Sequence, residues 1–274
     1  MPIITLSSDI GEHDYLTGAI KGQLLSINPS VTVVDVTHLL SSFNYPQAAY
    51  VCKNAFQYFP ANTFHIVLVD VFENKNNKLL IAKWNKQWIA CADNGILTMI
   101  TQQKSLPVYE LNMPQDFTLL MMTHKLADTI HFILEEKKHE TFLQPATAIK
   151  EIYPLKATIG NNWMEGQILF VDRFENIVVN ITKEEFEAQR NGRTFKINFQ
   201  RDEVISSMSD NYSSVQEGEK VAFFNSAGYL EIAINKGNMA GLFGLQHFNT
   251  KMNKQNTALQ NNNWFYQTVK IFFE

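Results

Sequence analysis

The sequence has little cysteine, no metal-ligand spacing and no glycine-rich phosphate loop, and each shortage narrows what the chain can do. Cys52 and Cys91 are the only cysteines. Each sits inside an apolar pattern, the setting of a small core residue rather than of a redox pair, and two such thiols suit a reducing compartment. The seven histidines are scattered and form neither His-Glu-x-x-His nor a Cys/His ligand set, so no metal site is expected. No Gly-x-Gly-x-x-Gly or P-loop follows a strand, and there is no Gly-x-Ser-x-Gly elbow. Dinucleotide, nucleoside-triphosphate and α/β-hydrolase sites of the usual kinds are therefore unsupported, and no bound cofactor is expected. Gly237, Gly241 and Gly244 follow a strand, but at a spacing that suits small-residue packing.

Charge of one sign is lacking too. The 23 basic and 27 acidic residues leave a net charge of −4, which gives no electrostatic footprint for nucleic acid. No apolar run approaches the ~20 residues of a membrane span, and MPIITLSSD lacks the charged start of a signal peptide. A soluble, cytoplasmic protein without membrane or nucleic-acid partners is the expectation.

What is present is a folded composition, 45% hydrophobic and 18% charged over 274 residues, enough for one large or two modest domains. Ile3–Leu6, Val31–Val36 and Ile66–Val69 are short β-branched runs, read as strands buried on both faces. Helical spacing from about Asp14 to Pro29 and after Pro46 separates them. The β-α-β-α-β order predicts a parallel sheet covered by helices. Leu79–Trp84 and Gln87–Ala92 flank Asn85-Lys86 as a hairpin, and a helix is predicted from about His124 to Lys137.

From about Tyr153 the pattern changes to short apolar runs with Gly, Asn and Asp turns: 168–171, 177–181, 195–199, 221–224 and 230–234. One short helix, Lys183 to Arg190, interrupts them. Such spacing predicts a small β-barrel or sandwich. The expected fold is α/β: an N-terminal parallel-sheet domain over 1–148 and a C-terminal β-barrel domain over 149–274. The second includes an Asn/Gln-rich segment, Thr250 to Asn263, and a late strand, Trp264 to Phe273, with Phe265, Val269, Ile271 and Phe273 on one face.

Polar clusters stand where apolar strands end: Ser7-Ser8-Asp9, Asp35 to His38, Asp70, and Asp172 to Asn176. Ligands of open α/β sheets bind at the carboxyl ends of strands, and an interdomain site would gather all four clusters. Each carboxylate taken singly also fits a turn cap.

Taken together, in order along the chain, these motifs resemble the S-adenosylmethionine (SAM) hydroxide adenosyltransferases, a family that includes the fluorinating and chlorinating enzymes. The family's Thr-Asp-Phe-Gly appears as Ser8-Asp9-Ile10-Gly11, followed by Asp14 and Lys21-Gly22. Asn28-Pro29, Asp35-Val36-Thr37-His38, Phe59-Pro60 and Asp93-Asn94-Gly95 follow in family order. Asp172-Arg173-Phe174-Glu175-Asn176 stands for Asp-Arg-Phe-Gly-Asn, and Asn225 to Ala233 is intact.

The resemblance implies a fluorinase-like fold and a homotrimer with SAM between neighbouring subunits. By position, Asp9 would bind the ribose hydroxyls and Phe43 would stack on the ligand. Asp172 would meet the methionine ammonium, with Phe174 and Asn176 toward the adenine and Ser226 at the methionine carboxylate. Phe43 and Phe174 are otherwise ordinary core candidates. The implied reaction is hydrolysis to adenosine and L-methionine, SAM being a substrate and not a cofactor, with Asp70 and His124 activating the attacking water. A carboxylate at Asp70 would repel a halide. The family loop Pro-Gly-Val-Gly-Thr-x-Arg is replaced here by 71–77: Asn77 falls on the Arg, and Lys78 or Lys75 is the nearest cation. The alternative implied activity is a family member that binds SAM or adenosine with little turnover because that Arg is absent.

Overall fold

The computed structural model describes residues 2–72, 78–135, 143–200, 203–245 and 267–274. They divide into two compact units, Met1–Pro154 and Leu155–Glu274.

The first unit runs β1 (Ile3–Ser8), α1 (Leu16–Ile27), β2 (Thr32–Thr37), α2 (Tyr45–Phe56), β3 (Phe64–Leu68), β4 (Lys78–Trp84) and β5 (Gln87–Ala92). It continues with α3 (Ile96–Thr101), β6 (Val108–Asn112), α4 (Leu119–Leu134) and β7 (Gln144–Pro145). One seven-stranded sheet has the order β2-β1-β3-β5-β4-β6-β7. β1, β2 and β3 are parallel, as expected, and β5 joins them parallel to β3. β4, β6 and β7 extend the sheet antiparallel, so it is mixed rather than wholly parallel. The cause is the two-residue turn Asn85-Lys86, both residues at positive φ, which folds β4 back along β5 in the manner of a tight hairpin. Every residue of β3 and β5 is buried, and two apolar clusters cover the sheet. Cys52 and Cys91 are free and lie in that core, where burial pushes the Cys52 thiol up to about 12. Inert packing fits both.

The second unit runs β8 (Thr158–Ile159), β9 (Trp163–Val171), β10 (Ile177–Thr182), α5 (Lys183–Arg190), β11 (Phe195–Gln200) and β12 (Glu203–Ile205). After a short 3-10 turn at Tyr212–Ser214 come β13 (Lys220–Phe224), β14 (Tyr229–Ile234), α6 (Met239–Leu242) and β15 (Thr268–Phe273). The sheet order is β12-β11-β15-β9-β10-β14-β13, with β8 beside β9. Its end strands approach each other through Lys220 and Glu203, 2.6 Å apart, so the sheet is nearly a closed barrel. Alternate residues Val269, Ile271 and Phe273 of β15 enter the core as predicted; Phe265 and the Asn/Gln-rich segment lie outside the described residues. Thr182 and Glu185 form a reciprocal capping box that starts α5 at the predicted residue.

Two element ends near the candidate site differ from expectation. α4 begins at Leu119, not near His124, because the Thr118 hydroxyl accepts from the Met121 amide and caps the helix a turn and a half earlier. β3 ends at Leu68, two residues before Asp70, which has turned out of the strand into the left-handed region at φ 46°. Among the described residues, no helix is long and apolar enough to cross a membrane.

Candidate active site

Asp70 occupies the carboxyl end of β3, beside the end of β1, and its unusual backbone is held from several sides. A left-handed conformation costs a residue other than glycine roughly 1–2 kcal/mol, least for Asp and Asn. The Asp70 amide donates to Asp9 Oδ2 at 2.9 Å. Asn94 is fully buried, and its side-chain amide donates to the carbonyls of Val69 and Asp70 at 2.8 and 3.2 Å. The same side chain accepts from the Ile96 amide. The next residue, Gly95, has φ 98°, and a Cβ there would meet Ile152 at 2.6 Å, so this turn requires glycine. Asp93 Oδ1 accepts from the Lys150 amide at 2.7 Å. Asp93-Asn94-Gly95, met in the sequence as a turn tripeptide, is thus the frame on which Asp70 rests.

The Asp70 carboxylate is held too. The Tyr45 hydroxyl, at the first turn of α2, donates to Asp70 Oδ2 at 2.9 Å. One oxygen is fixed, which leaves Oδ1 as the oxygen that can accept from a water. A small cavity lined by Asp70, Lys78, Asp93, Asn94, Met113 and Phe117 has ≈ 10 Å³ of room for water centres, enough for a single molecule. Lys78 lines this cavity, and its ammonium bonds Glu110 at 2.9 Å. That hydrogen bond pushes the Lys78 ammonium up, so it stays charged. Lys75 and Asn77 lie outside the described residues.

His124 takes no part in that cavity. It stands mid-way along α4 with its side chain 59% exposed, 3.8 Å from Asp128 one turn on.

A second constellation surrounds Asp9. Ser8 Oγ bonds His38 Nδ1 at 2.7 Å, His38 Nε2 lies 3.2 Å from Asp35 Oδ1, and Lys21 bonds Asp35 Oδ2. Burial pushes the Asp35 carboxyl up, but the Lys21 and His38 contacts outweigh it and hold the group below its ordinary value. Ser, His and Asp are the residue types of a nucleophilic triad, yet Ser8 is 1% exposed, closed off from an incoming substrate. The set is structural. With the Gly11 amide donating to the His38 carbonyl at 2.8 Å, it fixes the loop that carries Asp9.

In the second unit the Asp172 carboxylate organises its own loop. Oδ1 accepts from the Phe174 and Asn176 amides, at 2.8 and 2.9 Å, and Oδ2 from the Asn176 side chain at 3.0 Å. Glu175 sits at φ 65°, the conformation for which glycine is the usual residue. Ser226 is exposed on the turn that follows β13. Phe43 and Phe174 are 73% and 75% exposed, each in its own unit, which rules out core packing and leaves both rings open to a ligand or another chain.

Asp70 and Lys78 are thus brought to one cavity, and Asp172, Phe174 and Asn176 to one loop. The sequence reading missed Tyr45, although it lies two residues beyond Phe43, and gave Asn94 no role. Spacing held no sign of either, because both meet Asp70 only through the fold. Among the described residues there is no group of three or more His, Cys, Asp or Glu side chains placed to hold a metal.

The chain is similar to an (R)-S-adenosyl-L-methionine hydrolase of Methanocaldococcus jannaschii, at 23% identity over 90% of this chain and 94% of that protein. It is similar to a fluorinase of Nocardia brasiliensis, at 22% identity over 89% and 94% of the two chains. A crystal structure of a conserved Thermotoga maritima protein superposes with a TM-score of 0.79 over 98% of this chain and 99% of that one, at 21% identity, a likeness of fold. The SAM hydroxide adenosyltransferase N-terminal domain matches residues 4–133 and the C-terminal domain residues 166–250. The chain belongs to the SAM hydroxide adenosyltransferase family.

Proposed function

We propose that the protein hydrolyses SAM to adenosine and L-methionine. The observation that carries this reading is the Asp70 carboxylate, held by Tyr45 through Oδ2 and with no partner on Oδ1 among the described residues, at a cavity with room for one water. In the reaction, water oxygen forms the bond to ribose C5′ as the C5′–sulfur bond breaks. The electron pair stays on sulfur, which leaves as neutral methionine thioether, so no general acid is needed. The difficult partner is water, with a pKa near 15.7 in bulk. Asp70 takes its proton, and fixing the water beside the carboxylate supplies proximity.

The remaining roles rest on the family resemblance. Lys78 contributes positive charge where the family has Arg, as a point charge without the two-pronged guanidinium contact. His124 joins the water in the assembled protein, and its exposure in the single chain is compatible with that role. Asp9, Phe43, Asp172, Phe174, Asn176 and Ser226 hold the substrate. The assembly is a homotrimer with SAM at the subunit interface. A halide in place of water is disfavoured by the Asp70 charge.

The test is to incubate the purified protein with SAM and follow adenosine and methionine by chromatography. Equal release of both above the no-protein rate is expected; a rate equal to that control overturns the proposal. Calorimetric binding of SAM without turnover would instead support the alternative, a binding protein that has lost the reaction.

A further inference from the structure

Glu231 is a carboxylate buried in the middle of β14, 5% exposed, with no part in the reaction above. A buried charge is costly unless it is hydrogen-bonded, and here each oxygen accepts a bond. Oε1 accepts from the Tyr212 hydroxyl and Oε2 from the Asn225 side-chain amide at 3.1 Å. Both partners lead to loops. The Tyr212 hydroxyl accepts in turn from the Asn176 amide at 3.3 Å, whose other proton goes to Asp172 Oδ2. Asn225 Oδ1 accepts from the Ala227 and Tyr229 amides at 3.0 and 3.2 Å, holding the turn that carries Ser226.

The direction of every bond in this chain is fixed by chemistry. An amide nitrogen has two protons to give, a phenol gives one and accepts one, and an ionised carboxylate only accepts. Asn176 gives to both Asp172 and Tyr212; Tyr212, having accepted, gives to Glu231; Asn225 gives to the other Glu231 oxygen. Only a residue with two acceptor oxygens satisfies both donors at the centre. Burial pushes the Glu231 carboxyl above the ordinary carboxylate value, and the bonds from Tyr212 and Asn225 offset only part of that rise. Tyr212 is fixed further by edge-on packing against Phe223 at 4.7 Å.

We propose that Glu231 is a positioning residue for substrate binding: it locks the Asp172–Asn176 loop to the Asn225–Gly228 turn, so that Asp172, Phe174 and Ser226 are presented in one fixed arrangement. The proposal rests on the SAM reading for the identity of the ligand, though not for the lock itself. Binding energy is then not spent on ordering two independent loops, and the effect falls on affinity rather than on the chemical step.

The variants are Glu231→Gln, which keeps the shape but opposes one donor with another, and Tyr212→Phe, which leaves the buried carboxylate with Asn225 and cuts only the link to Asn176. The readouts are calorimetric affinity for SAM and for adenosine, KM against kcat, and hydrogen exchange of the Phe174, Asn176, Ala227 and Tyr229 amides. Each variant is expected to weaken SAM binding and raise KM by roughly tenfold with kcat within about twofold. The double variant should be no worse than the more affected single one. Exchange should quicken at the Asp172 loop in both variants, and at the Asn225 turn in Glu231→Gln, while β10 stays protected. Unchanged affinity in a wild-type protein that binds SAM overturns the proposal. If the wild type binds neither ligand, the SAM reading falls and the exchange data decide the lock alone: unchanged exchange in both loops overturns it.

Discussion

Tyr45→Phe isolates the support of the proposed base more cleanly than any change to Asp70 itself. The ring packs against the buried cluster between α2 and the sheet, and phenylalanine keeps that packing, so only the oxygen is lost. What disappears is the 2.9 Å bond to Asp70 Oδ2. A hydrogen bond to a charged group contributes about 1.5–3 kcal/mol when water cannot replace it. Asp70 is only half-buried, so solvent will replace part of it, which leaves about 1–2 kcal/mol. If that bond holds the carboxylate in the orientation that accepts the water proton, the loss falls on the transition state. kcat should then fall roughly 5–30-fold, with KM within about twofold. The melting temperature should drop by no more than about 4 °C for a chain of this size. Steady-state adenosine release by chromatography measures the first quantities and calorimetry the last. A wild-type kcat in a folded Tyr45→Phe protein would refute the assignment. So would a KM effect with kcat unchanged, because it would place Tyr45 in binding rather than in orienting the base.

The two other proposed catalytic groups separate in the same assay. Lys78→Met in a Glu110→Gln background, which avoids stranding the Glu110 carboxylate, should lower kcat about tenfold against Glu110→Gln alone. His124→Ala should lower kcat without changing the melting temperature, since that side chain is largely exposed; an unchanged kcat in either case removes that residue from the catalytic set. Glu175→Gly relieves a left-handed backbone at φ 65° and should raise the melting temperature by about 1–3 °C; a fall would mean that the Glu175 side chain contributes more than the strain costs. His65 is fully buried against Phe56, and burial lowers its ring to about 4 from an unfolded value of 6.5. The folded state therefore favours neutral imidazole. That contribution is complete above pH 6.5 and is lost as pH falls through about 4, up to about 3 kcal/mol. Melting curves should show the wild type losing more stability than His65→Gln between pH 7.5 and 4.5; parallel losses would contradict it.

The parts of the fold that depend on local rules were legible in the sequence. Lys183–Arg190 starts at its capping box, and Val269, Ile271 and Phe273 alternate into the core because a strand has period two. The start of α4 depended on recognising Thr118 as a cap in a stretch with weak apolar spacing. β6 carries no alternation, its residues being mostly half-buried, so it left no periodic signal. The site shows the same division. Asp70 was found as a strand-end carboxylate because topology places ligands there. Its helpers Tyr45 and Asn94 lie 25 and 24 residues away in sequence and meet it only across the sheet. Glu231 is hidden for a different reason: a charge inside an apolar strand looks like an outward-facing residue until Tyr212 and Asn225 are placed beside it.

The central claim is that water, activated at Asp70, attacks C5′ of SAM. Running the reaction in water enriched in heavy oxygen, and weighing both products by mass spectrometry, tests it most directly. The account predicts heavy oxygen at the 5′-hydroxyl of adenosine and none in methionine, with formation of both products lost in Asp70→Asn. Unlabelled adenosine, or labelled adenosine formed equally fast by Asp70→Asn, would contradict it.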